Sequence, residues 1–295
     1  MQTLGAAAGA MTYAPPPMAS TVPQDPTGVA RAIGGAPSVV LSGVTRSYGP
    51  IDALGPIDLQ LAPNEFFAVV GPSGCGKSTM LDVLAGLNAP TSGEILFEDK
   101  RVEGNVPDGI GVVFQEDASF PWLTVERNIG FGLRRKGFPA HEIADRVKRA
   151  IEFMGLNAFA KAYPSQLSGG MRQRVCIART LVMRPRLILL DEPFGALDQQ
   201  TRLLMGDELL NLWRRTGATV VLITHSIDEA AMLADRVGVM SARPGRFIEI
   251  IDTGWQRDRD SRLAASSEFG QLTARIWEVL RNESIKAMRT DAAVA

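Results

Sequence analysis

At 295 residues, with 45% hydrophobic and 21% charged content, the chain is long enough for one large folded core with smaller attachments. A formal net charge of -1 excludes a general electrostatic hold on nucleic acid or anionic lipid, so no nucleic-acid partner is expected. Apolar runs such as residues 187–190 and 218–223 are far short of the roughly 20 residues that cross a bilayer, and Cys75 and Cys176 lack metal-ligand spacing, which fits a reducing cytoplasm without a disulfide framework or zinc site.

Residues 1–37 are rich in Ala, Pro, Gly and Ser, with no basic residue before Arg31, so they lack the pattern of a signal peptide and predict a disordered tail. Residues 39–41 and 57–61 predict short strands of a small antiparallel sheet. The apolar run 66–70, a glycine-rich loop and helical spacing over 77–87 predict a strand, loop, helix unit. Residues 111–114, 187–190 and 219–223 predict further buried strands of an α/β core, with a mostly helical segment over about 123–162 between the first two. Past Thr253 a polar helical pattern offers Leu263, Phe269, Leu272, Ile276 and Leu280 as packing positions for a helix docked on the main unit. Three units are expected: the tail 1–37, a main unit 38–252 with a helical part at about 123–175 inserted, and a helical extension 253–295.

Gly71-Pro72-Ser73-Gly74-Cys75-Gly76-Lys77-Ser78 fits the phosphate-binding loop G-x-x-x-x-G-K-[ST], between a predicted strand and a predicted helix. Its glycines let successive N–H groups turn inward around phosphates, and the helix start adds a favourable dipole. Lys77 is expected on the β and γ phosphates, the Ser78 hydroxyl on magnesium, and Thr79 completes the nucleotide-binding set. Cys75, at a variable position of the loop, is expected to be a neutral filler still open to alkylation, and Cys176 a small buried hydrophobe. The apolar strand ending in Asp191-Glu192 presents two carboxylates: Asp191 for the magnesium shell, through water, and Glu192 as general base on the attacking water. These two motifs alone would equally suit a kinase or a GTPase.

Leu167-Ser168-Gly169-Gly170-Met171-Arg172-Gln173 precedes the acidic strand, and there the chain resembles the ATP-binding subunits of ABC transporters. Their signature is Leu-Ser-Gly-Gly; Met171 stands where Gln is common, and Met-Arg-Gln-Arg follows as in many bacterial importers. Chemically, Ser168 with the Gly169 and Gly170 amides at a helix start forms a second anion site, useful only if it closes over another molecule's nucleotide. The resemblance extends over residues 39–251. It implies that Tyr48 stacks on adenine, that Gln115 touches magnesium and the attacking water while linking to the membrane partner, that Ala196-Leu197-Asp198 crosses a dimer interface, and that His225, after Thr224, contacts the γ-phosphate.

The fold implied is a P-loop ABC-type α/β ATPase: a mixed sheet core, a small N-terminal antiparallel β-subdomain and an inserted helical subdomain. The function implied is hydrolysis of Mg-ATP between two copies of the chain, driving transmembrane permease subunits from the cytoplasmic face of the bacterial inner membrane. A periplasmic solute-binding protein would select the solute. Residues 116–123, with Phe120 and Trp122, lie where the family receives the coupling helix of its permease. That stretch, with Arg243-Pro244-Gly245-Arg246 and the short C-terminal tail, looks most like the importer ATPases for nitrate, sulfonates or taurine. The rivals are an exporter ATPase with the same chemistry and a soluble non-transport ABC ATPase, whose coiled-coil insertions or second ATPase copy this sequence lacks.

Overall fold

The computed structural model describes residues 38–115, 118–195 and 197–294; the tail expected over 1–37 lies outside them. In chain order the first half holds β1 (Val39–Tyr48), β2 (Ile51–Leu61), β3 (Phe66–Val70), α1 (Lys77–Leu84), β4 (Ser92–Phe97), β5 (Lys100–Arg101), β6 (Ile110–Val113), α2 (Val125–Ile129), α3 (Phe131–Arg135) and α4 (Ala140–Phe153). The second holds α5 (Gly169–Leu181), β7 (Leu187–Asp191), α6 (Gln199–Thr216), β8 (Thr219–Ile223), α7 (Ile227–Leu233), β9 (Arg236–Met240), β10 (Phe247–Asp252) and α8 (Ser267–Val294).

The strands form two sheets. An antiparallel sheet has the order β2-β1-β4-β5, and a six-stranded mixed sheet has the order β10-β9-β3-β8-β7-β6, parallel except for β10 at its edge. The strands expected at 39–41 and 57–61 extend well beyond those limits, because β1 and β2 pair along their whole length up to the turn at Gly49, whose φ is 58°. Tyr48 therefore ends a strand, paired with Ile51. β4 and β5 were not legible as strands: β4 opens on Ser-Gly-Glu, and its turn uses Glu98 and Asp99 at φ 48° and 61°, left-handed positions filled without glycine. The helix expected to run to residue 87 stops at Leu84, where Ala85 and Gly86 close it with N–H bonds to Leu81 and Val83.

The six-stranded sheet divides the core by the period-2 alternation of its strands. Phe66, Ala68 and Val70 of β3, with Ile188, Leu190, Val220 and Leu222, face the layer built from α2 and α4–α8. Phe67 and Val69, with Leu187, Leu189, Val221 and Ile223, face α1 and the antiparallel sheet. This two-sided burial explains why β3, β7 and β8 read as unbroken apolar runs. Fully buried Trp213 of α6 meets Phe66 edge-on, with centroids 5.7 Å apart, and lies under the guanidiniums of Arg257 and Arg259 at 4.5 and 5.0 Å. Arg259 also pairs with Asp235 at 2.8 Å, which anchors the approach to the C-terminal helix. On α8, Phe269, Ile276 and Leu280 are buried at spacings of a helical face; Leu272, and Leu263 in the turn before the helix, pack partly against the same core.

Candidate active site

Four adjacent parallel strands deliver the chemistry to one edge of the sheet. In the order β3, β8, β7, β6, their carboxyl ends lead into the loop 71–76, Thr224-His225, Asp191-Glu192 and Gln115. Residues scattered over about half the chain thus become neighbours, in the place where open α/β sheets bind ligands.

The loop is built around Lys77. The residue is nine-tenths buried, and its ammonium donates to the carbonyl oxygens of Gly71 and Pro72, each at 2.9 Å. Among the described residues it has no ion-pair partner, so a buried positive charge is held by neutral acceptors alone, an arrangement that favours an anion. Gly74 and Gly76 stand at φ 69° and 109°. A Cβ on Gly76 would lie 2.6 Å from the Ala53 carbonyl oxygen, so glycine is required both for the turn and for the approach of β2. The Cys75 side chain is buried, and burial pushes its thiol up against the nearby charges of Lys77 and Arg243. It is therefore packed away from solvent, not poised for alkylation. Ser73, Gly74 and Ser78 are exposed along the loop and helix start, and Thr79 is half-buried behind them.

The carboxylates end β7. Asp191 accepts a hydrogen bond from the Ser78 hydroxyl, and burial raises its pKa against that bond, helped by the negative charges of Glu192 and Asp82. Its Oδ1 is buried with no hydrogen-bond partner among the described residues. An orphaned carboxylate oxygen beside an exposed serine hydroxyl suits a hydrated divalent cation, and magnesium fits this donor set. Among the described residues no group of three or more His, Cys, Asp or Glu side chains forms a cage for a metal.

Glu192 is the junction of the site. Its Oε2 accepts from Gln115 Nε2 at 2.9 Å and lies 3.3 Å from His225 Nδ1, so one oxygen is reached from the strands on both sides. The residue stands at φ 45°, a left-handed conformation costing a non-glycine residue about 1–3 kcal/mol. The Glu192 N–H, bonded to the Ile223 carbonyl at 2.9 Å, and its carbonyl, accepting from Gly195 at 3.1 Å, hold it there.

Tyr48 ends β1 exposed, with the Arg46 guanidinium 4.5 Å over its ring; its pairing partner Ile51 lies two residues before Ala53, whose carbonyl touches Gly76. Ser168 caps α5, its Oγ accepting from the Met171 N–H at 3.3 Å. Ser168 and Gly169 are exposed, and Gly170 packs on Leu197 closely enough that a Cβ would lie 2.6 Å from it. Among the described residues no hydrogen bond or ion pair joins Ser168 to the phosphate loop, Asp191 or Glu192. Asp198 caps α6 with both carboxylate oxygens on Thr201, at 2.9 and 2.7 Å, which holds its pKa low; Ala196 lies outside the described residues.

Sequence reasoning missed Glu229. Ser226-Ile227-Asp228-Glu229 has the spacing of a capping box, and the Ser226 side chain does accept from the Glu229 N–H at 3.3 Å. The Glu229 carboxyl, however, turns to the buried Thr224 hydroxyl beside His225, leaving Oε1 without a hydrogen bond among the described residues. Burial pushes its pKa from 4.5 up to about 7, against the Thr224 bond and the charges of Arg202 and His225. A folded-state pKa above the unfolded one adds stability at low pH, and that stability is lost as pH rises through the folded value. Glu229→Gln, which cannot ionise, is expected to match the wild type below about pH 4.5 and to be more stable above pH 7. The gap should open between these limits to about 2–3 kcal/mol, read from urea melts. A difference constant across that range would show that Glu229 does not titrate in it.

Comparison with known proteins places the chain in a family. A family model for ABC transporters matches residues 54–195. Over 239 residues the chain is 47% identical to an uncharacterized ABC transporter ATP-binding protein of Methanocaldococcus jannaschii, covering 81% of this chain and 88% of the relative. Over 234 residues it is 41% identical to the aliphatic sulfonates import ATP-binding protein SsuB of Bacillus thuringiensis, covering 79% and 90%. A dimeric ATP-binding cassette solved in a post-hydrolysis state with ADP and Pi matches with a TM-score of 0.66 at 33% identity, over 74% of this chain and 100% of that one. With a phosphate loop, paired carboxylates and a strand-end glutamine and histidine gathered on one sheet edge, the chain belongs to the ABC transporter ATP-binding proteins and is an ATPase.

Proposed function

We propose that this ATPase works as an ATP-bridged homodimer that drives the permease of an importer for a small anionic or zwitterionic solute of the nitrate, sulfonate or taurine class. The observation that carries it is the segment leaving β6, which joins the catalytic edge to an exposed aromatic surface. At its start Gln115 holds Glu192. Seven residues on, Trp122 is 70% exposed, beside Phe120 at 5.7 Å, and Phe120 in turn meets Phe131 at 4.6 Å. Fully buried Asn128 pins this loop, donating to the carbonyls of Phe120 and Leu123 at 3.1 and 2.8 Å and accepting from the Phe120 N–H at 2.8 Å. A large aromatic held in solvent by a buried polar anchor suits a partner helix.

In the site, loop residues Gly71 to Gly76 and Thr79 cradle the phosphates, Lys77 neutralises the β and γ oxygens, and Tyr48 offers a ring to the adenine. Ser78 and Gln115, with Asp191 through water, would hold magnesium, which when bound neutralises phosphate charge. Glu192 takes a proton from the attacking water, and Gln115 and His225 hold its carboxylate and the γ-phosphate end of the site in line. Ser168, Gly169 and Gly170 close on the nucleotide of the opposite protomer, so ATP joins the halves and its hydrolysis releases them.

Residues 38–252 form the ATPase unit, with the helical part about 123–175 facing the permease, and 253–295 an extension docked on it. No helix among the described residues is long and apolar enough to cross a membrane. In the proposed importer separate subunits supply the membrane path, and the ATPase is peripheral on the cytoplasmic face. A periplasmic binding protein supplies the solute. SsuB, by its name a sulfonate importer subunit, supports import and the solute class.

The test is co-expression with a membrane permease and reconstitution into vesicles, measuring ATPase stimulation and accumulation of labelled sulfonate, taurine or nitrate. Trp122→Ala is expected to keep the basal ATPase rate of the isolated chain while weakening permease binding about tenfold or more, as for a central interface aromatic. Undiminished stimulation of the variant would remove Trp122 from the interface. Solute movement in the opposite direction would make the protein an exporter subunit.

A further inference from the structure

The phosphate loop is gripped from its outer side by residues 241–246, a segment to which the ATPase mechanism gives no role. Arg243 Nε and Nη2 both donate to the carbonyl oxygen of Gly74, at 3.0 and 2.8 Å. Because a trans peptide points its C=O and the following N–H in opposite directions, the fork that draws the Gly74 oxygen outward turns the Cys75 N–H inward. That N–H lies 3.4 Å from the Pro72 oxygen across the loop. Gly245 seats the segment: its N–H bonds the Ala53 carbonyl at 3.0 Å, its carbonyl accepts from Gly55 at 3.0 Å, and a Cβ on it would stand 2.3 Å from the Cys75 oxygen. The loop is thus enclosed between β2, which abuts Gly76, and residues 241–246.

The segment is held in turn by the C-terminal helix. Glu283 of α8 is nine-tenths buried, and its Oε2 accepts from the Ala242 N–H at 3.0 Å while Oε1 pairs with Lys286. Since Phe269, Ile276 and Leu280 fix α8 to the core, Glu283 is a rigid support. A continuous chain of contacts runs from α8 through Ala242 and Arg243 to Gly74.

We propose that Arg243 is a positioning residue of the nucleotide site and that α8, through Glu283, sets the loop that carries it. This rests on residues 71–78 being the nucleotide site. Glycine peptides are the most costly to order, and a loop already fixed in its binding shape spends less of the phosphate interaction on ordering itself. The effect falls on nucleotide affinity. The catalytic groups Glu192, His225 and Gln115 stand on other strands and keep their geometry.

The test uses the full chain and MgADP, which binds without turnover, together with kcat and KM for ATP. Arg243→Ala is expected to weaken ADP binding about three- to tenfold, the worth of one net hydrogen bond, and to raise KM in step while kcat stays within about twofold. Arg243→Lys keeps the charge but not the planar fork, so it should restore less than half of the loss on a free-energy scale. Glu283→Ala should weaken binding in the same direction by less, and Glu283→Gln, which keeps an acceptor for Ala242, should stay near the wild type. The double variant Arg243→Ala/Glu283→Ala should bind no more weakly than Arg243→Ala alone, because both changes act through one contact. Full rescue by Lys, losses that multiply in the double variant, or unchanged ADP affinity of Arg243→Ala would each overturn the proposal. Lys77→Ala serves as control: binding as tight as the wild type there would overturn the assignment of the loop itself.

Discussion

Glu192→Gln is expected to bind Mg-ATP with near-normal affinity and to hydrolyse it about 10²- to 10⁴-fold more slowly, the usual worth of general-base assistance. The size of the side chain is kept, and so are the Lys77 bonds within the loop and the Ser78 bond to Asp191. What is lost is the carboxylate charge at the oxygen on which Gln115 and His225 converge, and with it the ability to take a proton. Because ATP joins the halves of the proposed dimer, slow turnover should let the closed dimer accumulate, visible by size exclusion with ATP and absent with ADP. Wild-type turnover, with monomer in both nucleotides, would remove Glu192 as the base and ATP as the link between protomers.

Lys77→Ala should abolish tight ATP binding and turnover. A lysine ammonium whose partners among the described residues are the neutral carbonyls of Gly71 and Pro72 is a strong local attraction for phosphate, and 71–78 holds no other cation. Stability without nucleotide should change little, since removing the charge also removes the cost of burying it. Ser168→Arg should lack turnover for a different reason: each protomer still binds ATP at its own loop, but closure over it fails. Mixing the two inactive proteins should restore some hydrolysis. A heterodimer pairs the intact loop of the Ser168→Arg protomer with the intact α5 start of the Lys77→Ala protomer. No activity above that of either parent would argue against a shared site.

The strands that carry the site were legible because their burial is two-sided. Phe66–Val70, Leu187–Asp191 and Thr219–Ile223 have every residue buried, and an unbroken apolar run is what such a strand must be. β4 and β9 were hidden because their patterns break at glycine: Gly93 at φ 81°, where the backbone approaches Gly43, and Gly238, over which the Phe67 and Phe247 rings close. The motif residues could be named in advance because each needs one residue type at one place. The sequence carried no sign that Gln115 and His225 share a single oxygen of Glu192. That depends on the β8-β7-β6 order, which is a property of the sheet and not of any one strand. Arg243 was legible only as part of a family-like string, since a fork onto a distant backbone carbonyl leaves no periodicity or spacing behind.

The left-handed backbone at Glu192 bears on how this protein can change over time. Glycine, and to a lesser degree asparagine, adopts that conformation at little cost, whereas a glutamate must be forced into it by its neighbours. Selection for stability alone would therefore push position 192 toward residues that cannot accept a proton, relaxing the backbone and, with Glu192 as the proposed base, silencing the enzyme in the same step. On that proposal, a glutamate at 192 is expected to be kept only under a continuing demand for turnover. In a lineage freed of that demand, this residue should be among the first to drift, while the phosphate loop could still bind nucleotide long after hydrolysis had stopped.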